Sequence, residues 1–405
     1  MDSVTCNTCG LSVHDLPSSN RNVCPHCGAT IGGIQPNIAR EPVHRNTARN
    51  TQGPHSQHPQ KIRTAFIGAG AEYFRIWIVN LFLTVITLGI YGAWAKVRNR
   101  KYLYANTLIA AQRFDYLANP LAILKGNLAI AAGIITYLLT QAYSPVYTSA
   151  VILLFYLVLP FLVYKSLRFL AYNSSFRNIR FHFNGTLSQC YKIYILIPLL
   201  IPLTLGLIFP YWAYRRKKYF FENMAFGTTA ATFSGRTGFF YKTYAKALLL
   251  AVAVMLAVVV TAAIMISLVH SPVGADRQVT PGNGLIASMI MMYALMILAG
   301  TLIQQYLHAR ITNYCWNESR LGQVSFQSTL RARDLFWIQF TNILAMIFSL
   351  GLLIPWAKIR KSRYVFDNMA VCASRGFDEF TADTEPEISA LGDSATDFFD
   401  LEIGL

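Results

Sequence analysis

The fold is decided by the stretch ITLGIYGAWAKVRNRKYLYAN at residues 86–106, because the chain contains two further copies of its pattern. The copies read LTLGLIFPYWAYRRKKYFFEN at 203–223 and FSLGLLIPWAKIRKSRYVFDN at 348–368. Each copy has a Gly after an apolar segment, then an aromatic-rich bend, then a basic helix. Such self-similarity indicates a chain built from repeated structural units.

The basic part of the repeat keeps the same spacing in all three copies. Its two basic residues, its Tyr and its Asn lie at positions i, i+3, i+4 and i+8, which fall on one face of a helix. The residues are Arg98, Lys101, Tyr102 and Asn106 in the first copy, Arg215, Lys218, Tyr219 and Asn223 in the second, and Arg360, Arg363, Tyr364 and Asn368 in the third. Each copy follows a short alternating or Gly-containing stretch, such as IRFHFNGT at 179–186, which indicates one strand or turn.

Between the repeats lie four apolar runs that are too long for a soluble core. They cover residues 127–143, 146–164, 247–269 and 285–303. Each approaches or exceeds the roughly 18–20 apolar residues that cross a bilayer as a helix. The whole chain is 54% hydrophobic and 13% charged, about half the charge of an ordinary soluble domain. The runs therefore predict membrane-spanning helices.

These features predict an all-α polytopic membrane protein with internal repeats and a small N-terminal zinc ribbon. Its predicted parts are a head at 1–30, a flexible linker at 31–62, a membrane domain at 63–377 and an acidic disordered tail at 378–405. Within the membrane domain, repeated modules are predicted at about 62–110, 179–228 and 322–373, with hydrophobic hairpins at 120–170 and 244–308 between them.

The apolar segment that precedes each basic helix admits two topologies. If all three segments span, the connecting Lys and Arg residues divide almost evenly between the two sides, although cytoplasmic loops normally hold a clear excess. If each segment enters and leaves on one side, only Arg277 falls on the other side. Gly89, Gly206 and Gly351 permit the necessary break. The sequence predicts four spans, three re-entrant or interfacial segments and cytoplasmic termini.

The head carries two Cys-x2-Cys pairs, each continuing into Gly. Four thiolates at Cys6, Cys9, Cys24 and Cys27 fit one tetrahedral ion, and zinc is the default choice over iron in such a site. A disulfide pair would fit poorly in the reducing cytoplasm. With all four positions occupied by protein, the predicted zinc is structural rather than catalytic. One Arg against two Asp in the head argues against nucleic-acid binding.

The three basic faces have two interpretations. They can be topology determinants with Tyr at the membrane interface, or they can be contact sites for anionic lipid or phosphate-bearing ligands. The second interpretation makes candidates of Arg98, Lys101, Tyr102, Arg215, Lys218, Tyr219, Arg360, Arg363 and Tyr364. Asn80 and Asn342 occupy matching positions nine residues before their glycines, either as helix–helix bonds or as a pathway lining.

The repeated TLG, WAK-x-R and RKY elements over about residues 63–377 resemble the YjgN-like family of bacterial inner-membrane proteins. The second copy departs from the pattern, with WAY in place of WAK. The resemblance implies a multi-pass protein of the inner membrane and supplies no mechanism.

The sequence favours a non-enzymatic role, since no nucleophile–base set or phosphate loop is present. The leading prediction is transporter- or channel-like handling of a solute or lipid, with the head as a regulatory or docking element. The alternative is a non-transporting membrane scaffold or sensor. Predicted partners are the lipid bilayer, anionic phospholipids, and a protein bound by the head or the acidic tail.

Overall fold

The membrane domain is organised around a closed antiparallel β-barrel of ten strands. We describe residues 4–5, 12–13, 60–270 and 281–373 from a computed structural model. The barrel strands are β3 (Gln60–Phe66), β4 (Thr107–Ile109), β5 (Gln112–Tyr116), β6 (Ser174–Phe176), β7 (Ile179–Phe183), β8 (Met224–Phe226), β9 (Thr229–Phe233), β10 (Ser319–Leu321), β11 (Val324–Ser328) and β12 (Met369–Ala373). The predicted all-α fold is therefore wrong.

The barrel is closed by strands from opposite ends of the membrane domain. β12 pairs with β3 in antiparallel register, with Val371 opposite Ile62 and Cys372 opposite Lys61. Every other strand pairs with its neighbours in sequence. Closure leaves no strand edge exposed, which removes the unpaired backbone groups that an open sheet of such short strands would present.

A helical hairpin is inserted after every second strand, so the barrel carries five hairpins. The helices are α1 (Gly70–Ile86), α2 (Gly92–Ala105), α3 (Pro120–Tyr143), α4 (Pro145–Asn173), α5 (Leu187–Tyr191), α6 (Ile197–Leu203), α7 (Phe209–Glu222), α8 (Thr237–His270), α9 (Pro281–Asn317), α10 (Ala332–Phe348) and α11 (Ile354–Asp367). A π-helical segment, Lys192–Leu196, joins α5 to α6. The strands that flank each hairpin pair with each other. Both ends of every hairpin, which we call its feet, are therefore joined to adjacent strands of the barrel.

Two of the five are long hairpins, α3–α4 and α8–α9. These four helices are long and apolar enough to cross a membrane, and most of their side chains face outward. The number of such helices in the described residues equals the number of spans that the sequence predicts. Pro120 and Pro145 begin α3 and α4, each after a capping side chain, Asn119 or Ser144, that accepts a backbone N–H bond. Pro at this first position costs no hydrogen bond.

The other three are short hairpins, α1–α2, α5–α7 and α10–α11, and each contains one sequence repeat. A left-handed Leu–Gly pair turns the chain at each tip, with φ near +50° at Leu88, Leu205 and Leu350. These leucines are 93–94% exposed. The apolar tips and the paired feet mean that each repeat leaves the barrel and returns to it.

At each tip, the repeated Thr/Ser-Leu-Gly sequence satisfies backbone hydrogen bonds within the turn itself. The Gly N–H donates 2.8 Å bonds to a carbonyl five residues earlier in all three copies, for example from Gly206 to Ile201. The hydroxyl of Thr87, Thr204 or Ser349 then accepts the backbone N–H four residues later. Because lipid offers no hydrogen bonds to backbone groups, a tip that satisfies its own suits insertion into a bilayer.

The glycine of the turn gives a prediction with an internal control. Gly206 has φ +83°, Gly300 lies in α9, and a Cβ at either position would meet no atom within 4 Å. We expect Gly206→Ala to lower the free energy of unfolding by about 1 kcal/mol through backbone strain alone. Gly300→Ala should leave it unchanged or raise it, since Ala favours helix. Thermal unfolding in detergent measures both, and equal shifts would contradict the role of the turn.

The barrel interior is apolar and contains a cavity of about 190 Å³. Phenylalanines of β5 to β8 and β11 line it, together with Trp316 and the ends of α2 and α11. The long hairpins pack separate clusters against the barrel rim, such as Ile123 and Phe169 near Tyr116.

Residues 1–56 form a separate unit. Its described part is an antiparallel pair, β1 (Val4–Thr5) and β2 (Ser12–Val13). The four predicted zinc ligands, Cys6, Cys9, Cys24 and Cys27, lie outside the described residues, as does the acidic tail.

Candidate functional site

The repeated tyrosines anchor the start of each short hairpin. Tyr102 Oη accepts a 3.0 Å bond from the Ala69 N–H, and Tyr364 Oη accepts one from Arg331. Tyr219 Oη donates to the Thr186 carbonyl at 3.0 Å. Burial raises the pKa of all three phenols, so they stay protonated at physiological pH. Their described contacts are internal to the fold.

The repeated asparagines end the second helix of each short hairpin and tie it to the barrel. Asn106, Asn223 and Asn368 donate from Nδ2 to the carbonyl of the tyrosine four residues earlier, at 2.7–2.8 Å. Their own carbonyls accept from the backbone after β3, β7 and β11, as from Ile67 at 3.0 Å. The fixed register of Tyr and Asn thus has a structural cause.

The predicted basic contacts do not form one site, because they lie on α2, α7 and α11. Arg98 and Lys101 are exposed. Lys218 pairs with Glu222 at 3.8 Å. In the third repeat, Arg360 donates to Thr341 Oγ1 at 2.6 Å, and Arg363 donates to the Gly68 carbonyl at 2.9 Å.

A different basic cluster lines a cleft where the first and third short hairpins meet. We call this the basic cleft; it has a volume of about 560 Å³. Lys96 and Arg100 of α2 and Lys358 of α11 supply three cationic side chains, and none of the described residues that line the cleft is acidic. Trp77 and Leu81 of α1 form an apolar wall. The cleft thus combines positive charge with an apolar side.

Arg100 is fixed at this site by the barrel. It is 4% exposed, its Nη1 donates to Tyr116 Oη at 3.0 Å, and its guanidinium lies 5.6 Å from the Tyr116 ring centre. These two contacts fix the orientation of the planar guanidinium at the cleft.

Asn80 lies at the base of the cleft and is 2% exposed. Its Nδ2 donates to Asn99 Oδ1 at 2.9 Å, while its own Oδ1 has no hydrogen-bond partner among the described residues. The equivalent Asn342 donates to the Ala357 carbonyl and accepts from Arg360 at 3.3 Å. A buried acceptor without a donor is costly, so the first repeat differs from the third by one unmet hydrogen bond.

The closure of the barrel explains why these two repeats share a cleft. Pairing of β12 with β3 sets the third short hairpin beside the first, and α1 packs on α11. Lys96 and Lys358 are the lysines of the WAK sequences and lie seven residues after Gly89 and Gly351. In the second repeat, the residue seven after Gly206 is Ala213, and the WAY sequence ends in Tyr214. The sequence signal for the basic cleft was therefore the WAK pattern, which the first and third repeats share and the second repeat lacks.

Within the described residues, no group of three or more His, Cys, Asp or Glu side chains could hold a metal ion. Cys190, Cys315 and Cys372 are buried thiols. Burial raises the pKa of Cys190 to about 12, which keeps it protonated and unreactive.

Comparison with known proteins identifies the family to which the chain belongs. Residues 61–398 match the family described as "Bacterial protein of unknown function (DUF898)". Inner membrane protein YjgN of Escherichia coli K12 is 33% identical over 150 residues, which is 36% of each chain. The same-named protein of Salmonella typhimurium LT2 is 25% identical over 366 residues, covering 79% of this chain and 91% of the relative. No solved structure matches. The resemblance drawn from the repeats is confirmed, and the chain belongs to this family as a YjgN-like protein of the bacterial inner membrane.

Proposed function

We propose that this inner-membrane protein binds the phosphate of an anionic phospholipid in the basic cleft. The observation that carries the proposal is the convergence of Lys96, Arg100 and Lys358 from two repeats on one cleft, whose lining among the described residues contains no acidic side chain. Arg and Lys are the side chains that bind phosphate oxygens most strongly. The proposed role is binding and handling of lipid rather than catalysis.

The position of the cleft along the hairpin favours a lipid. Asn80 lies nine residues before Gly89 at the tip, which is about 13 Å along a helix axis. With the exposed leucine tip in the hydrocarbon region, the cleft comes near headgroup depth, where basic residues attract anionic lipids. The unpartnered Asn80 Oδ1 favours a headgroup that carries a donor, such as the hydroxyls of phosphatidylglycerol.

Charge substitution in the cleft tests the proposal. We expect Lys96→Gln/Lys358→Gln to weaken phosphatidylglycerol binding by the purified protein at least about a hundredfold, since the two lost charge-assisted hydrogen bonds contribute about 1.5–3 kcal/mol each and about 1.4 kcal/mol is tenfold in affinity. The control is Lys242→Gln/Lys246→Gln, which removes two exposed lysines of α8 and should leave retention unchanged. Native mass spectrometry counts the bound lipids. Equal losses in the two variants, or displacement of the lipid by inorganic phosphate alone, would contradict a built lipid site.

A second candidate function is a membrane sensor or scaffold that binds lipid without moving it. The apolar lining of the barrel cavity favours this candidate over a channel for hydrated solutes. Flip-flop of labelled phosphatidylglycerol in proteoliposomes separates the two, because a sensor leaves the rate at its protein-free value.

The head is proposed to act as a cytoplasmic regulatory or docking element, with both termini on the cytoplasmic side. Its four cysteines would hold one structural zinc ion, which stabilises a unit too small for a large core. We expect about one zinc per chain in the purified protein and loss of that zinc in Cys24→Ser/Cys27→Ser, measured by plasma mass spectrometry. Full zinc content in this variant would contradict the assignment of the four cysteines as zinc ligands.

A further inference from the structure

The barrel cavity has a continuous aromatic wall. Phe114 and Phe176 have ring centres 4.8 Å apart, as have Phe181 and Phe226, and 6.2 Å separates the Phe176 and Phe226 ring centres. These four rings come from four successive strands, β5 to β8. Across the cavity, Trp316 contacts Phe326 at 5.2 Å. Side chains that pack against one another in this way hold their rings in place.

The hydroxyl groups of the lining residues are bonded within the protein. Thr64 Oγ1 donates to the Met369 carbonyl at 3.1 Å, Thr107 Oγ1 to Leu103 at 2.9 Å, and Ser174 Oγ to Leu170 at 2.7 Å. A polar ligand would lose its own water without gaining these donors. The wall therefore selects for an uncharged, apolar occupant.

The volume of the cavity limits the size of the ligand that it can hold. Its volume is about 190 Å³, whereas an apolar cavity of roughly 150 Å³ stays dry and accepts benzene. Close-packed interiors contain few voids larger than a water molecule, so this space exceeds ordinary packing imperfection. It suits one aromatic ring or a short hydrocarbon segment.

We propose that the barrel is a second binding site, separate from the basic cleft, that takes an uncharged hydrocarbon group of about the size of a benzene ring. Two sources share this chemistry: the end of a lipid acyl chain and a small aromatic compound. The proposal stands independently of lipid binding in the cleft, since none of the described residues that line the barrel cavity is cationic.

Photolabelling in nanodiscs tests the proposal with two probes. One is a small phenyl diazirine and the other a fatty acid with a terminal diazirine. We expect label on the β11 and β12 peptides that carry Phe326 and Val371, competed by unlabelled compound, in addition to label on the lipid-facing helices. Preference for one probe identifies the source. Label confined to α3, α4, α8 and α9 with both probes would overturn the proposal.

Cavity variants give the control. Val371 packs with Val324 and Phe326 inside the barrel, and Val371→Phe should reduce strand labelling roughly tenfold by filling the space. Val146→Phe is the same change at a residue 74% exposed on α4, and it should leave strand labelling intact. Should Val371→Phe fail to fold, Phe326→Ala enlarges the cavity and must keep competed label on β12. Loss of competition in that variant, or unchanged labelling in Val371→Phe, would equally overturn the site.

Discussion

Lys61→Cys is expected to form a disulfide with the native Cys372 in most molecules once the purified protein is oxidised. The two residues are direct partners in the β3–β12 ladder, and Cys372 is a buried free thiol. Directly opposed residues of an antiparallel pair point to the same face with Cα atoms about 4.5–5.5 Å apart, within the range that a disulfide spans. The bond would join residues 311 positions apart (372 − 61).

The expected result depends on closure of the barrel and on its register. Arg63→Cys is the matched control, because Arg63 lies opposite Ala370 and two positions out of register with Cys372. Mass spectrometry of unreduced peptides should show the cross-link for Lys61→Cys and little for Arg63→Cys. Equal yields would mean a mobile or differently registered pair, and absence of both would contradict the closed barrel.

The barrel could not be predicted from the sequence because its strands are too short to show a period. β4, β6, β8 and β10 have three residues each, and three residues give barely one alternation of faces. The turn between β4 and β5 hides the signal further, since Ala110 and Ala111 adopt left-handed φ values of 50° and 60° where Gly or Asn would mark a hairpin. The alternating stretches before the repeats did become β3, β7 and β11, but pairing across the ends of the domain has no local signature.

The repeats and long helices, in contrast, were predictable because their causes are local. A hydrophobic run of sufficient length predicts a spanning helix without reference to partners, and α3, α4, α8 and α9 contain the four predicted runs. The Thr/Ser-Leu-Gly turn is likewise a property of a few consecutive residues. The basic cleft was missed for the opposite reason, since Lys358 reaches Lys96 only after β12 closes on β3.

Each repeat is expected to begin and end on the same side of the membrane. We expect single cysteines at Arg75, Arg98, Lys192, Arg215, Arg333 and Arg360 to be shielded from an impermeant thiol reagent in intact cells and labelled after lysis. These residues precede and follow the three tips, and the feet of every short hairpin stand on the same barrel. Tyr143→Cys, 81% exposed at the far end of α3, is the positive control and should label in intact cells.

The outcome decides between a re-entrant hairpin and a span because the two give opposite results for half of the positions. A span would carry Arg98, Arg215 and Arg360 to the opposite side from Arg75, Lys192 and Arg333, so labelling would alternate along each pair. A span would also have to place β4, β8 and β12 across the bilayer from strands with which they share hydrogen bonds. Breaking these ladders would leave unpaired backbone groups that cost several kcal/mol each in lipid. Uniform shielding of all six positions is therefore the expected result. Alternation within any one pair would contradict both the closed barrel and the re-entrant hairpin.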